Sequence, residues 1–87
     1  MYSPADTDTF RRKMKKLRKK DSLRFERVCR KIDEILQDPH HYKPLGNELA
    51  GVLRVHIDPF VFTFKIDEEN KIVRFLDFDH HNRIYKN

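Results

Sequence analysis

Five histidines, grouped as His40-His41, His56 and His80-His81, are the side chains of this sequence best suited to move protons near neutral pH. His56 follows Arg54 by two residues. On a strand that spacing puts both on one face. An imidazole beside a guanidinium can trade a proton next to a fixed charge that holds an anion. The same pair can equally serve as a structural hydrogen bond. His40-His41 stands in a loop-like stretch, where a solvated pair is the plain reading. His80-His81 closes the run Asp77-Phe78-Asp79-His80-His81-Asn82-Arg83-Ile84-Tyr85, where polar groups of several kinds converge as a catalytic or binding lip. Asp77, Asp79, His80 and His81 are metal-ligand types, but neighbours on an extended chain point to opposite sides. No paired Cys or His at helical spacing occurs, so no metal or other cofactor is expected. Cys29 falls on an apolar helical stripe, which makes it a core residue rather than a nucleophile. Gly46 and Gly51 are the only glycines, too few for a phosphate-cradling loop.

The chain carries a formal charge of +5, unevenly spread. Residues 1–30 hold eleven Lys/Arg and four Asp/Glu; residues 31–87 hold eight and ten. Eight of the ten residues from Arg11 to Lys20 are cationic. Such a stripe attracts a polyanion with an affinity that weakens as salt rises. RNA and an acidic partner protein both fit, and a solvated helix face is the remaining option. One cysteine allows no internal disulfide, which points to a reduced, cytoplasmic setting. No apolar run approaches the ~18–20 residues that span a bilayer, and the first residues carry no signal core, so no membrane association is expected.

At 87 residues the chain has room for a single domain, 1–87, with one core. Ser3-Pro4 is a possible helix start, with Ser3 as cap. Phe10, Met14 and Leu17 then make one apolar stripe on a cationic helix. Asp21-Ser22 can cap a second helix, which Phe25, Val28, Cys29, Ile32, Ile35 and Leu36 continue and Asp38-Pro39 ends. After a loop from His40 to Gly51 come three β-rich runs, Val52–Ile57, Phe60–Ile66 and Ile72–Phe78, joined by short turns. The expected fold is α+β: a helical hairpin packed on a small antiparallel sheet. That sheet is a three-stranded meander, with a fourth short N-terminal edge strand around Met1–Ser3 as an option. The Phe60, Phe62, Phe64 face should cover the helices. The face with Arg54, His56, Thr63 and Lys65 should be at least partly open.

Taken in order, several segments resemble the RelE/ParE superfamily of small toxins from type II toxin–antitoxin systems. They are the basic Phe10-Arg11-Arg12-Lys13-Met14-Lys15-Lys16-Leu17, then Ile32–Pro39, then Lys43-Pro44-Leu45-Gly46-Asn47-Glu48-Leu49-Ala50-Gly51, and last His80-His81-Asn82-Arg83-Ile84-Tyr85. The resemblance covers most of the chain and is closest to the RelE/YafQ side, whose members are ribosome-dependent mRNA interferases. It implies metal-independent RNA cleavage by a ribose 2′-hydroxyl acting on the adjacent phosphorus. His56 matches a histidine in the first strand of the meander, and His81 with Tyr85 matches a histidine four positions before an aromatic. The resemblance thus implies His56 and His81 as the proton-transfer pair and Tyr85 as a stacking or orienting group. Arg54 and Lys65 would stabilise phosphate charge, with Arg83 a further cation. Arg11, Arg12, Lys13, Lys15, Lys16, Arg18, Lys19 and Lys20 would grip ribosomal RNA through its phosphates. The implied partners are a cognate antitoxin and the ribosome with its message. A second function class stays open: a non-catalytic, ParE-like gyrase inhibitor, or a degenerate toxin that only binds RNA or an antitoxin.

Overall fold

A computed structural model of the chain describes residues 1–44 and 51–80. It opens on strand β1 (Ser3–Asp6) and continues through helices α1 (Asp8–Lys20) and α2 (Ser22–Gln37). A 3-10 turn (Pro39–His41) leads to a two-residue strand β2 (Lys43–Pro44), then to β3 (Val52–Ile57), β4 (Phe60–Asp67) and β5 (Ile72–His80). This is the expected α+β plan, a helical hairpin followed by an antiparallel meander.

The optional N-terminal edge strand is present, at Ser3–Asp6 rather than around Met1–Ser3, and it replaces the expected helix start. Ser3 and Pro4 do not start α1; they lie in β1, which pairs with β5 from Ser3↔Ile72 to Asp6↔Phe75. That pairing is parallel, so the sheet is mixed, with strand order β1-β5-β4-β3-β2. A parallel partner needs a long connection, which the hairpin and the meander supply. Pro4 is tolerated because β1 is an edge strand, where a missing N–H breaks no ladder. Thr7 is the true cap of α1: its Oγ1 accepts from the Phe10 N–H at 3.1 Å and donates to the Leu76 carbonyl at 2.6 Å. Leu76 is the extra residue of a β-bulge, since Thr63 faces Asp77 while Phe64 faces Phe75. One hydroxyl therefore satisfies both a helix start and a bulge carbonyl.

Asp21 joins the helices. Its N–H closes α1 on the Leu17 carbonyl at 2.8 Å, and its carboxylate caps α2 at the Arg24 N–H, 3.1 Å away. The short join brings the apolar stripes of both helices onto the sheet. Phe10 and Leu17 from α1, with Val28, Ile35 and Leu36 from α2, are buried against Val55, Ile57, Phe62, Phe64, Val73, Phe75 and Phe78. The aromatic centre is ordered: Phe62 stacks on Phe78 (4.5 Å between centroids, 9° between planes) and Phe10 stacks on Phe75 (5.3 Å, 26°). Burying each such ring contributes on the order of 1.5–3 kcal/mol.

The opposite face is less open than the strand alternation suggests. Val61 and Thr63 are buried there, while His56 and Lys65 are exposed and Arg54 is half-buried. The reason is position: β4 is the central strand, so its middle residues are shielded by neighbours on both sides. No helix among the described residues is long and apolar enough to cross a membrane.

A polar clasp ties three distant segments together at the far end of the sheet. Glu68, in the β4–β5 turn, accepts from Tyr2 Oη at 2.7 Å and from Lys71 Nζ at 2.6 Å, and it lies 2.6 Å from His40 Nε2. Hydrogen bonds from Lys71, Tyr2 and His40 lower the Glu68 carboxyl from its ordinary 4.5 to about 2. Between those values the unfolded chain binds more protons than the folded one. The clasp's stabilisation is therefore complete above pH about 4.5 and is lost as the pH falls toward 2. Thermal unfolding followed across this window should show Glu68→Gln with a flatter acid-side loss than wild type. Parallel curves would contradict the linkage.

Candidate functional site

Strand register arranges the outer face in transverse rows. His56, Val61 and Asp79 form one row across β3, β4 and β5; Arg54, Thr63 and Asp77 form the next; Val52, Lys65 and Arg74 form the third. Arg54 and His56 share this face two residues apart along β3, as their spacing requires. Lys65 is the diagonal neighbour of Arg54, within the reach of long side chains. His80 pairs with Phe60 and so has the parity of the helix-facing residues; it lies on the other side of the sheet from His56. His81, Arg83 and Tyr85 lie outside the described residues.

Beside β3 the sheet edge opens into a groove of about 350 Å³ lined by His41, Tyr42, Arg54, Val55 and His56. The site therefore combines two imidazoles, a phenol and a guanidinium at a solvent-accessible edge. Burial raises the Tyr42 phenol above its ordinary 10, which keeps it a neutral hydrogen-bond donor at physiological pH. These groups can bind an anion and exchange protons with it. Among the described residues, no His, Cys, Asp and Glu side chains gather in a group of three or more that could hold a metal ion. Asp77 and Asp79, considered as ligands from sequence, instead meet Lys13, whose Nζ lies 2.8 Å and 3.2 Å from their carboxylates. Cys29 is half-buried on α2, and burial raises its thiol above the usual value, which disfavours the thiolate a nucleophile needs.

The cations of α1 divide into two sets. Lys13 also donates to the Phe78 carbonyl at 3.0 Å. Burial works against its charge, yet the hydrogen bonds to Asp77 and Asp79 prevail and raise its pKa. Its ammonium is committed to the fold rather than held out to a ligand. Arg11 is paired with Asp6 at 3.0 Å and Asp8 at 3.2 Å. By contrast, Arg12, Lys15, Lys16, Arg18, Lys19 and Lys20 are exposed and have no carboxylate partner among the described residues. Arg24, Arg27 and Arg30 of α2, which line one surface groove with Asp21 and Leu23, extend the positive surface. The helical hairpin thus presents a cationic face fit for a polyanion. Reversing Lys15, Lys16 and Lys19 to glutamate should weaken binding to a polyanion such as RNA broadly. The slope of log K against log salt should fall by roughly one for each phosphate that the variant no longer neutralises. An unchanged slope in a filter-binding titration would mean that these three side chains make no polyanion contact.

The model of the family described as "ParE toxin of type II toxin-antitoxin system, parDE" matches residues 7–85, nearly the whole chain. The chain belongs to the RelE/ParE superfamily of type II toxins. A relative in Methanocaldococcus jannaschii, named as a candidate toxin RelE4, is 50% identical over 74 residues, covering 84% of this chain and 79% of that protein. The toxin–antitoxin complex RelBE2 of Mycobacterium tuberculosis contains a chain that superposes with a TM-score of 0.78 at 28% identity, over 92% of this chain and 98% of that one. The intact RelBE complex of E. coli gives a TM-score of 0.76 at 14% identity, over 92% and 96%, a likeness of fold alone. The mixed sheet and helical hairpin of this chain are thus the RelE-like toxin fold.

Proposed function

We propose that this toxin is a ribosome-dependent endoribonuclease that inhibits translation by cutting mRNA without a metal. The observation that carries the reading is the joint placement of Arg54 and His56 on one face of β3, in an open groove at the sheet edge. A ribose 2′-hydroxyl attacks the adjacent phosphorus and gives up its proton to one imidazole. The departing 5′-oxygen takes a proton from another. The O2′–P bond forms as the P–O5′ bond breaks, leaving a 2′,3′-cyclic phosphate and a free 5′-hydroxyl. His56 is one of the proton-transfer groups. The resemblance to RelE/YafQ interferases supports His81 as the other, with Tyr85 stacking on a base. Arg54, with Lys65 beside it, balances the charge that builds on the phosphoryl oxygens. Arg83 adds to the cationic surround. The cationic face of the hairpin docks on ribosomal RNA through phosphates, a mode that reads no sequence. A cognate antitoxin is the natural partner, as in the RelBE complexes, and it would cover the toxin in the unstressed cytoplasm.

The match to the ParE family model favours a second reading, a toxin that binds its target without cutting RNA. End chemistry separates the two. Fragments made on programmed ribosomes should carry 5′-hydroxyls that polynucleotide kinase labels directly. Fragments bearing 5′-phosphates would contradict the 2′-hydroxyl mechanism, and the absence of fragments would favour the binder.

A further inference from the structure

His40 and His41 are adjacent in sequence but belong to different places in the fold. His40 is held in the clasp with Glu68 and Tyr2, whereas His41 lines the groove with Arg54 and His56. Register explains the divergence. The β2–β3 ladder ends with Lys43↔Arg54. Continued, it would set Tyr42 across from Val55 and His41 across from His56. Instead the chain turns into the 3-10 segment Pro39–His41 and leaves the edge of β3, so the ladder opens into a groove. His41 is exposed yet held. Its ring meets Tyr42 edge-on at 5.2 Å and 90°, and Tyr42 meets the fully buried Phe64 at 5.9 Å and 82°. A run of ring contacts thus ties a solvent-facing imidazole to the core, the kind of support that fixes a functional side chain.

We propose that His41 is a catalytic residue: as an imidazolium it contacts the scissile phosphodiester of a single-stranded RNA lying in the groove and stabilises the charge that develops on its phosphoryl oxygens. The proposal rests on the nuclease reading and extends it, because His41 supplies charge while the proton transfers stay with the other imidazoles. The charged and titratable groups that line the groove with His41 are Tyr42 on its own segment and Arg54 and His56 from β3.

The test is single-turnover cleavage of mRNA on programmed ribosomes between pH 5.5 and about 8.5, the range over which histidine changes charge. Wild type, His41→Asn and His41→Arg are compared. The asparagine variant should cut about 10²–10³-fold more slowly, the cost of losing one such donor. It should also lose one ionisation from its pH profile, with its thermal midpoint and ribosome affinity unchanged. The arginine variant should regain much of the rate and show the same flattened profile. An asparagine variant that cuts with the wild-type rate and profile would overturn the role of His41 while leaving the nuclease reading intact. Failure of arginine to rescue would overturn the electrostatic role. A wild-type protein that makes no cut would remove the nuclease reading, and this proposal with it.

Discussion

Replacing His56 by glutamine should lower the rate of mRNA cleavage on ribosomes by about 10²–10⁴-fold, the usual worth of a positioned acid or base. The protein should fold as before. His56 is exposed on an outer strand position, and surface substitutions of that kind shift stability by about 0.5 kcal/mol or less. Glutamine keeps a hydrogen-bonding group of similar reach but has no proton to trade near neutral pH. Ribosome affinity should hold, because the cationic face of α1 and α2 is unaltered. His40→Gln is the matched control: it removes an imidazole of the same loop-and-sheet region, yet His40 sits in the clasp with Glu68 and not in the groove. Its expected effect falls on acid stability, with cleavage unchanged. Rates measured by quenched flow on a defined initiation complex would separate the two variants. Equal losses in both would mean that the imidazoles act through folding rather than chemistry.

Phe62→Ala should cost about 3–5 kcal/mol of stability. Phe62 is fully buried in the central strand, stacks on Phe78 at 4.5 Å and meets Phe10 edge-on at 6.1 Å. Its loss removes the ring on which a helix residue and a β5 residue both rest. A domain of this size holds roughly 5–15 kcal/mol in total, so the variant would keep only a small margin. Urea unfolding should show a large drop in midpoint with little change in slope. A loss below about 1 kcal/mol would mean that neighbours collapse into the space, against the ordered ring geometry. The consequence reaches the site, because Phe62 is paired across the ladder with Val55, between Arg54 and His56.

The helices and the meander were legible because their apolar residues repeat at 3.6 and 2 residues with clear stops at Asp21, Asp38-Pro39 and Asp67–Asn70. The start of α1 was not. Ser3-Pro4 carries a helix-start pattern, but β1 takes its hydrogen bonds from β5, nearly seventy residues later, and that distant pairing decides the outcome. Burial of Val61 and Thr63 was hidden for a similar reason, since alternation reports which face a residue occupies and not whether the strand is central. The fate of Lys13 could have been read. It falls three residues after Phe10 and four before Leu17, on the stripe that meets the sheet, and so it was set apart from its cationic neighbours by position. Of the site, the Arg54–His56 pair followed from its spacing of two. The place of His41 did not, because it depends on where a two-residue strand leaves the β3 edge, which no local pattern records.

The most direct measurement is primer extension on an mRNA during translation in a purified system, with and without the protein. Cleavage of the message at the decoding site predicts discrete new 5′ ends inside the codon held there. They should appear within minutes of adding wild type, be absent without ribosomes, and disappear with His56→Gln. Full-length message that persists undiminished with the wild-type protein present would contradict it, and would assign the toxin's action to binding alone.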